Sequence, residues 1–243
     1  GINDGHVHAL WGTMSRLFAC EFPFTAGPDE IQTAIAACVA KNPEGSWIKG
    51  GQWDSDFFAR HNIASPKELL DKVSKDYAVV LGDDSGHNAW VNSKALELAG
   101  WDASTINPAG GTIVRDPETG EPNGILLENA ATEMEKVVPD WTTEEYVTGV
   151  REMVSIVNGA GITGLKNANT KESELQALYD LDQAGGLSIN FAACISTPYE
   201  QRSKVLDYDR IDRIRDQYAS TNLHTSFVKI FLDGVPTPAR SAA

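Results

Sequence analysis

The stretch Gly1-Ile2-Asn3-Asp4-Gly5-His6-Val7-His8 decides how the rest of the chain is read. Strand side chains alternate with period 2, so His6 and His8 point the same way if this backbone is extended. Two neutral imidazoles converging from one strand face make half of a zinc site. The competing reading is that two polar residues share the wet face of an edge strand. The spacing alone does not separate these readings, and the other end of the chain bears on the choice.

There, Ser226-Phe227-Val228-Lys229-Ile230-Phe231-Leu232-Asp233-Gly234 reads as a buried strand, aromatic and β-branched throughout and closed by Asp-Gly. Lys229 stands among apolar neighbours, where an ammonium group is costly unless neutralised or paired. A snorkelling lysine at a strand end is one account of it. The other is a neutral amine that takes up carbon dioxide as a carbamate, an oxygen ligand able to bridge two cations. Parity puts Phe227, Lys229, Phe231 and Asp233 on one face, and Val228, Ile230 and Leu232 on the helix-packing face.

A third block, Gly86-His87-Asn88-Ala89-Trp90-Val91-Asn92-Ser93-Lys94-Ala95-Leu96, lies between these two. Together the His-x-His strand, this block and the Lys229 strand resemble the amidohydrolase superfamily. Within it they resemble the amidohydrolase-3 branch, which is YtcJ-like and N-substituted formamide deformylase-like. The resemblance runs through essentially the whole chain, in order. It implies a (β/α)8 barrel and metal-assisted hydrolysis of amide or other C–N bonds. His6, His8 and a carboxylated Lys229 would hold one or two divalent cations, zinc above all, and His87 and Asn92 would contact a small amide-like substrate. Asp54 follows a Gly-Gly-Gln-Trp stretch that is comparable to a family block near the active-site entrance. It is kept as a substrate-binding candidate beside the plainer reading of a surface turn acid. His87 has a plainer reading too, as a turn or capping histidine.

Composition narrows the alternatives. The 243 residues carry 34 acidic against 20 basic side chains, a net charge of −14. Nucleic acid and anionic membranes call for a basic footprint, so neither is expected as a partner. Cys20, Cys38 and Cys194 are few, odd in number and far apart, and read as buried apolar fillers rather than a disulfide framework. No apolar run reaches membrane-spanning length and no signal-like start is present. A cytoplasmic location is therefore expected, although a chain opening so abruptly on a strand leaves room for a removed leader.

Strand and helix signals alternate along the chain, the pattern of βα units and a parallel sheet. Barrel-like strands are expected at about 2–8, 162–167, 188–195 and 226–232. The excursion from about Ala9 to about Pro139 is too long for a βα loop and implies a subdomain. It holds helical spacing from Pro28 to Ala40, a Ser65-Pro66-Lys67-Glu68 helix start, and a hairpin around Asp116-Pro117-Glu118-Thr119-Gly120. Ala9 to Phe24 reads as an aromatic-rich, poorly periodic crossing. The fold expected is α/β: about strands one to four of a TIM barrel (1–8 and 140–243) with an inserted α+β subdomain (9–139) over its mouth.

An eight-stranded barrel needs four more strands, and the resembled family completes its metal set there with two histidines and a general-base aspartate. Impaired activity is therefore expected, as is self-association through the open barrel edges. A non-catalytic, metal-free half-barrel scaffold or binding protein is the alternative. A different α/β enzyme with a coincidental His-x-His is a third.

Overall fold

The computed structural model describes residues 1–54, 56–197 and 206–230. These fall into two compact units, one holding Gly1–Phe18 with the described residues from Asp140 to Ile230, the other the described residues of Ala19–Pro139. The first begins with β1 (Ile2–Val7) and α1 (Ala9–Phe18). The segment read as an irregular crossing is thus helical over its first ten residues. Leu10, Thr13 and Met14 form its buried side at i, i+3 and i+4. Trp11, which suggested an apolar crossing, is left exposed.

The second unit runs through β2 (Cys20–Glu21), α2 (Pro28–Val39), β3 (Trp47–Trp53), α3 (Phe57–Arg60) and α4 (Pro66–Ser74). It continues with β4 (Ala78–Asp83), β5 (Asn88–Val91), α5 (Ser93–Ala99), β6 (Gly111–Arg115), β7 (Pro122–Glu128) and α6 (Asn129–Glu135). Its six-stranded sheet has the order β2-β3-β4-β5-β7-β6. The β2, β3 and β4 pairings are parallel and the others antiparallel. The expected hairpin is β6–β7, closed where the Asp116 N–H donates to the Glu121 carbonyl at 2.8 Å. Trp53, Phe57 and Trp90 fill one core cluster, and the indole N–H groups of Trp53 and Trp90 donate to the carbonyls of Leu81 and Pro66. Proline opens α4 as expected, but the Ser65 side chain makes no capping bond.

The cysteine reading needs correction. Cys20 and Cys38 are joined in a disulfide that ties β2 to α2, and only Cys194 is free. Sequence distance hid the pair: α2 runs back along the sheet and returns Cys38 to the strand carrying Cys20. Disulfides persist mainly in oxidising compartments, so this pair lends the cytoplasmic expectation no support. No helix among the described residues is long and apolar enough to cross a membrane.

The first unit resumes with α7 (Thr143–Gly159), opened by a reciprocal capping box. Thr142 Oγ1 accepts from the Glu145 N–H, and the Glu145 carboxylate accepts from the Thr142 N–H at 2.7 Å. A side chain at Gly149 would collide with Met14, so this glycine lets α1 lie close against α7. There follow β8 (Ile162–Thr170), α8 (Glu172–Gln183), β9 (Asn190–Ser196), α9 (Tyr208–Tyr218) and β10 (Leu223–Lys229). These strands and β1 form a four-stranded sheet, β1-β8-β9-β10, in which every pairing is parallel. Leu165, Phe191, Ala193, Ile195 and Leu223 leave one face of it to meet Val150, Met153, Leu175, Leu178 and Ile214 from the helices. The fold is mixed α/β with a parallel sheet, and among the described residues the sheet is open: β1 and β10 each have a strand on one side only. Thr197-Pro198-Tyr199-Glu200 reads from its sequence as a capped helix start; its residues from Pro198 on, and the Lys229 strand from Phe231 on, lie outside the described residues.

Candidate functional site

In a parallel sheet with βα crossovers, ligands gather at the carboxyl ends of the strands. Here those ends carry His8, Asn169, Ser196 and Lys229. Val7 packs into the helix-side core, so His6 and His8, its neighbours, turn to the opposite face. Their rings stand edge to face with centroids 5.9 Å apart. The Asp4 carboxylate accepts the His6 backbone N–H at 3.0 Å and holds this turn of β1. Both rings remain accessible.

Lys229 is directed to the same place. Partial burial, then the charges of His6 and Lys229, push His8 below the ordinary histidine value. The effect favours a neutral imidazole, the form that binds metal. On the same face, Lys166 of β8 sits over the Phe227 ring at 5.4 Å. Burial raises the Cys194 thiol, while Lys166 and Lys229 oppose that rise. Two lysines, two histidines and a thiol thus share one sheet face, and Lys166 and Cys194 were not singled out from sequence. Parity with Lys229 through the neighbouring strands could have found them, but only with the register in hand.

The candidates in the second unit have different surroundings. Asn92 is fully buried and caps α5. Its Oδ1 accepts from the N–H groups of Val79 and Ala95, both at 3.0 Å. Its Nδ2 donates to the Tyr77 carbonyl at 2.8 Å and to Ser74. All four hydrogen-bonding positions of the amide are filled, so the substrate role expected for Asn92 gives way to a structural one. His87 Nδ1 lies 2.9 Å from Glu128 Oε2, a carboxylate with only 9% of its side chain exposed. Glu128 adopts a positive φ of 52°, which costs strain for a residue with a side chain. Asp83, buried below the turn, accepts from Ser85 Oγ and from the N–H groups of His87 and Asn88. Asp54 accepts from the Asp56 N–H at 2.9 Å and pairs with Arg60. The Asp56 hydrogen bond above all, with help from Arg60, holds Asp54 below the usual aspartate range. That is the geometry of a turn acid at the start of α3.

The described residues include no group of three or more His, Cys, Asp or Glu side chains placed to hold a metal ion. What they offer a cation is the imidazole pair beside Lys229. Two neutral nitrogen ligands with a lysine that can become an oxygen ligand suit a divalent metal in part.

The model of the amidohydrolase family known as Amidohydro_3 matches residues 1–241. The chain belongs to the amidohydrolase family. It is 29% identical to N-substituted formamide deformylase of Arthrobacter pascens, over 98% of this chain and 45% of that protein. It is 26% identical to the putative amidohydrolase YtcJ of Bacillus subtilis, over 96% and 43%. Over a shorter stretch, 63% of this chain and 25% of the relative, it is 36% identical to LONG AFTER FAR-RED 3 of Arabidopsis thaliana. Among solved structures, an uncharacterized metal-dependent hydrolase of Pyrococcus horikoshii superposes with a TM-score of 0.64 at 22% identity. That superposition covers 96% of this chain and 42% of the other. The chain thus spans about half or less of the length of these relatives.

Proposed function

We propose that this amidohydrolase chain is part of a metal-dependent hydrolase of amide or related C–N bonds, with His6, His8 and Lys229 as metal-binding residues. The observation that carries this is their convergence on one face, at the carboxyl end of a parallel sheet. The four strands are read as strands one to four of a (β/α)8 barrel, 1–8 and 140–243, with 9–139 as an inserted subdomain. The superposition on less than half of a metal-dependent hydrolase supports that reading.

A divalent cation in such a site supplies Lewis acidity, polarising the scissile carbonyl and making a water a better nucleophile. The chain's own part is to hold it. His6 and His8 would offer ring-nitrogen lone pairs, and partial burial, then the charges of His6 and Lys229, favours the neutral form of His8. Lys229, as a neutral amine, adds carbon dioxide through its Nζ lone pair and releases one proton, giving a carbamate oxygen. Imidazole ligands favour zinc over harder cations. The name of the Arthrobacter relative points to an N-substituted formamide as one substrate type, and His87 remains the second unit's candidate for substrate contact. We also place a homo-oligomer among the expected properties, because among the described residues β1 and β10 are open edges and Ile2, Phe227 and Ile230 are exposed.

Metal analysis of the chain purified with zinc and bicarbonate tests the reading. About one zinc per chain, lost in His6→Ala and in His8→Ala, is expected. Zinc content unchanged in both variants would overturn it. A chain that takes up no divalent metal would be the scaffold instead.

A further inference from the structure

Near its carboxyl end β8 departs from regular alternation. Asn167 pairs with Ala193 and Thr170 with Ile195, so three steps along β8 match two along β9. Ala193 and Ile195 both belong to the helix-side core. Asn167 Nδ2 also donates to Thr170 Oγ1 at 2.9 Å, which puts both side chains on that side. Residues three apart on a regular strand face opposite ways. The two between them, Ala168 and Asn169, therefore both turn to the other face, as at a β-bulge that re-aims a side chain. That face carries Lys166 and, on adjacent β1, His6 and His8.

Asn169 Oδ1 is buried there, and no described group donates to it. A buried acceptor left without a donor is unfavourable, and in a folded protein it calls for a water, ion or ligand. Asn167 Oδ1 also has no partner among the described residues, but it lies on the helix side, where a buried water is the usual answer. For Asn169 the neighbours decide. The cation this face would hold is already assigned to His6, His8 and Lys229, which leaves a neutral donor as the partner for this amide oxygen. A ligand N–H fits that oxygen with no charge to bury.

We propose that Asn169 Oδ1 receives the N–H of the substrate amide and so selects N–H-bearing amides over esters of the same shape. This rests on the amidohydrolase reading and adds to it a specificity-determining residue. A site built around one acceptor rejects an analogue that opposes it with another lone pair.

The test needs binding and no turnover. Saturation-transfer NMR on the zinc-loaded chain would compare N-methylacetamide with its ester isostere, methyl acetate. Preference for the amide by roughly tenfold is expected in the wild type, on the scale set by one hydrogen bond made or opposed. Asn169→Leu and Asn169→Ala should both abolish it, while Asn169→Asp, which keeps an acceptor, should retain it. Equal binding of the two probes by the wild type, no binding of either, or a preference that survives in Asn169→Ala would overturn the proposal. A chain that loads zinc at His6 and His8 yet shows no preference loses only this inference. A chain that shows the preference but binds zinc without His6 and His8 loses the metal-site reading instead.

Discussion

Asn92 and Asn169 are the same residue in opposite circumstances. Asn92, between β5 and α5, has every donor and acceptor of its amide engaged and no exposed surface. Asn169, at the end of β8, keeps a buried oxygen with no donor among the described residues. The surroundings repeat the contrast. Around β4 and β5, Asp83, Ser85, Asn88 and Glu128 spend their polar atoms on the turn itself. At the open end of the parallel sheet, His6, His8 and Lys229 meet with like charges opposed. The polar groups of the second unit hold a turn, whereas at the end of the parallel sheet like charges are brought together.

Replacing Asn92 tests that contrast with the largest effect. Asn92→Ala strands two buried N–H groups and the Tyr77 carbonyl, a loss of about 3–5 kcal/mol. Asn169→Ala removes an acceptor that no described group satisfies and should alter stability by less than about 1 kcal/mol in either direction. Urea unfolding of both variants checks this. A cheap Asn92 substitution beside a costly Asn169 one would reverse the assignment of roles.

The disulfide comes next. Closing a loop between residues 18 apart in sequence should stabilise the second unit by about 3 kcal/mol through the unfolded state. Reduction, or Cys20→Ser with Cys38→Ser, should lower the melting temperature, whereas Cys194→Ser should not lower it comparably. A thiol count of three in the native, non-reduced protein would show that the bond does not form.

The parallel strands are legible in the sequence because Val, Ile and Phe runs between helical periods carry a strong signal, and parity alone puts His6 and His8 on one strand face. Sequence reading overestimated Asn92, because a cap and a ligand contact draw on the same residue type and only the partners tell them apart. It missed the Cys20–Cys38 pair and α1, where Trp11 masks the period. It passed over Asn169 altogether: alternation predicts that Asn167 and Asn169 share a face, and the irregular register after Asn167 separates them. Irregularities of pairing belong to two strands at once and leave little trace in either one.

Glu174 gives a smaller effect, and one that runs with pH. It is buried on α8, its Oε2 accepting the Lys171 N–H at 2.8 Å. Burial outweighs that bond and raises its pKa to about 7 from an ordinary 4.5. The folded state therefore holds the proton more tightly than the unfolded one. Glu174's contribution is greatest below about pH 4.5 and falls as the pH rises towards 7, by on the order of 1–3 kcal/mol. Glu174→Gln should flatten this part of the stability profile and stabilise the protein at pH 8. An unchanged profile would mean that the carboxylate is already ionised at low pH.

The finest probe of the contrast is His8 itself. Its lowered pKa comes first from burial of the ring, then from the charges of His6 and Lys229. Because the folded pKa lies below the unfolded one, acidification through that range favours unfolding, and the contribution to stability is present at higher pH. Proton NMR of the metal-free protein should show the His8 ring titrating below the ordinary histidine value of 6.5. Lys229→Gln removes one repelling charge and leaves the burial, so the midpoint should rise part of the way and no further. Conversion of Lys229 to its carbamate replaces a cation with an anion, so bicarbonate should move the midpoint up in the wild type and leave Lys229→Gln untouched. If His8 titrates identically in wild type and Lys229→Gln, the lysine does not share its site. The open end of the sheet would then be an ordinary wet strand edge, no different in kind from the satisfied turns of the second unit.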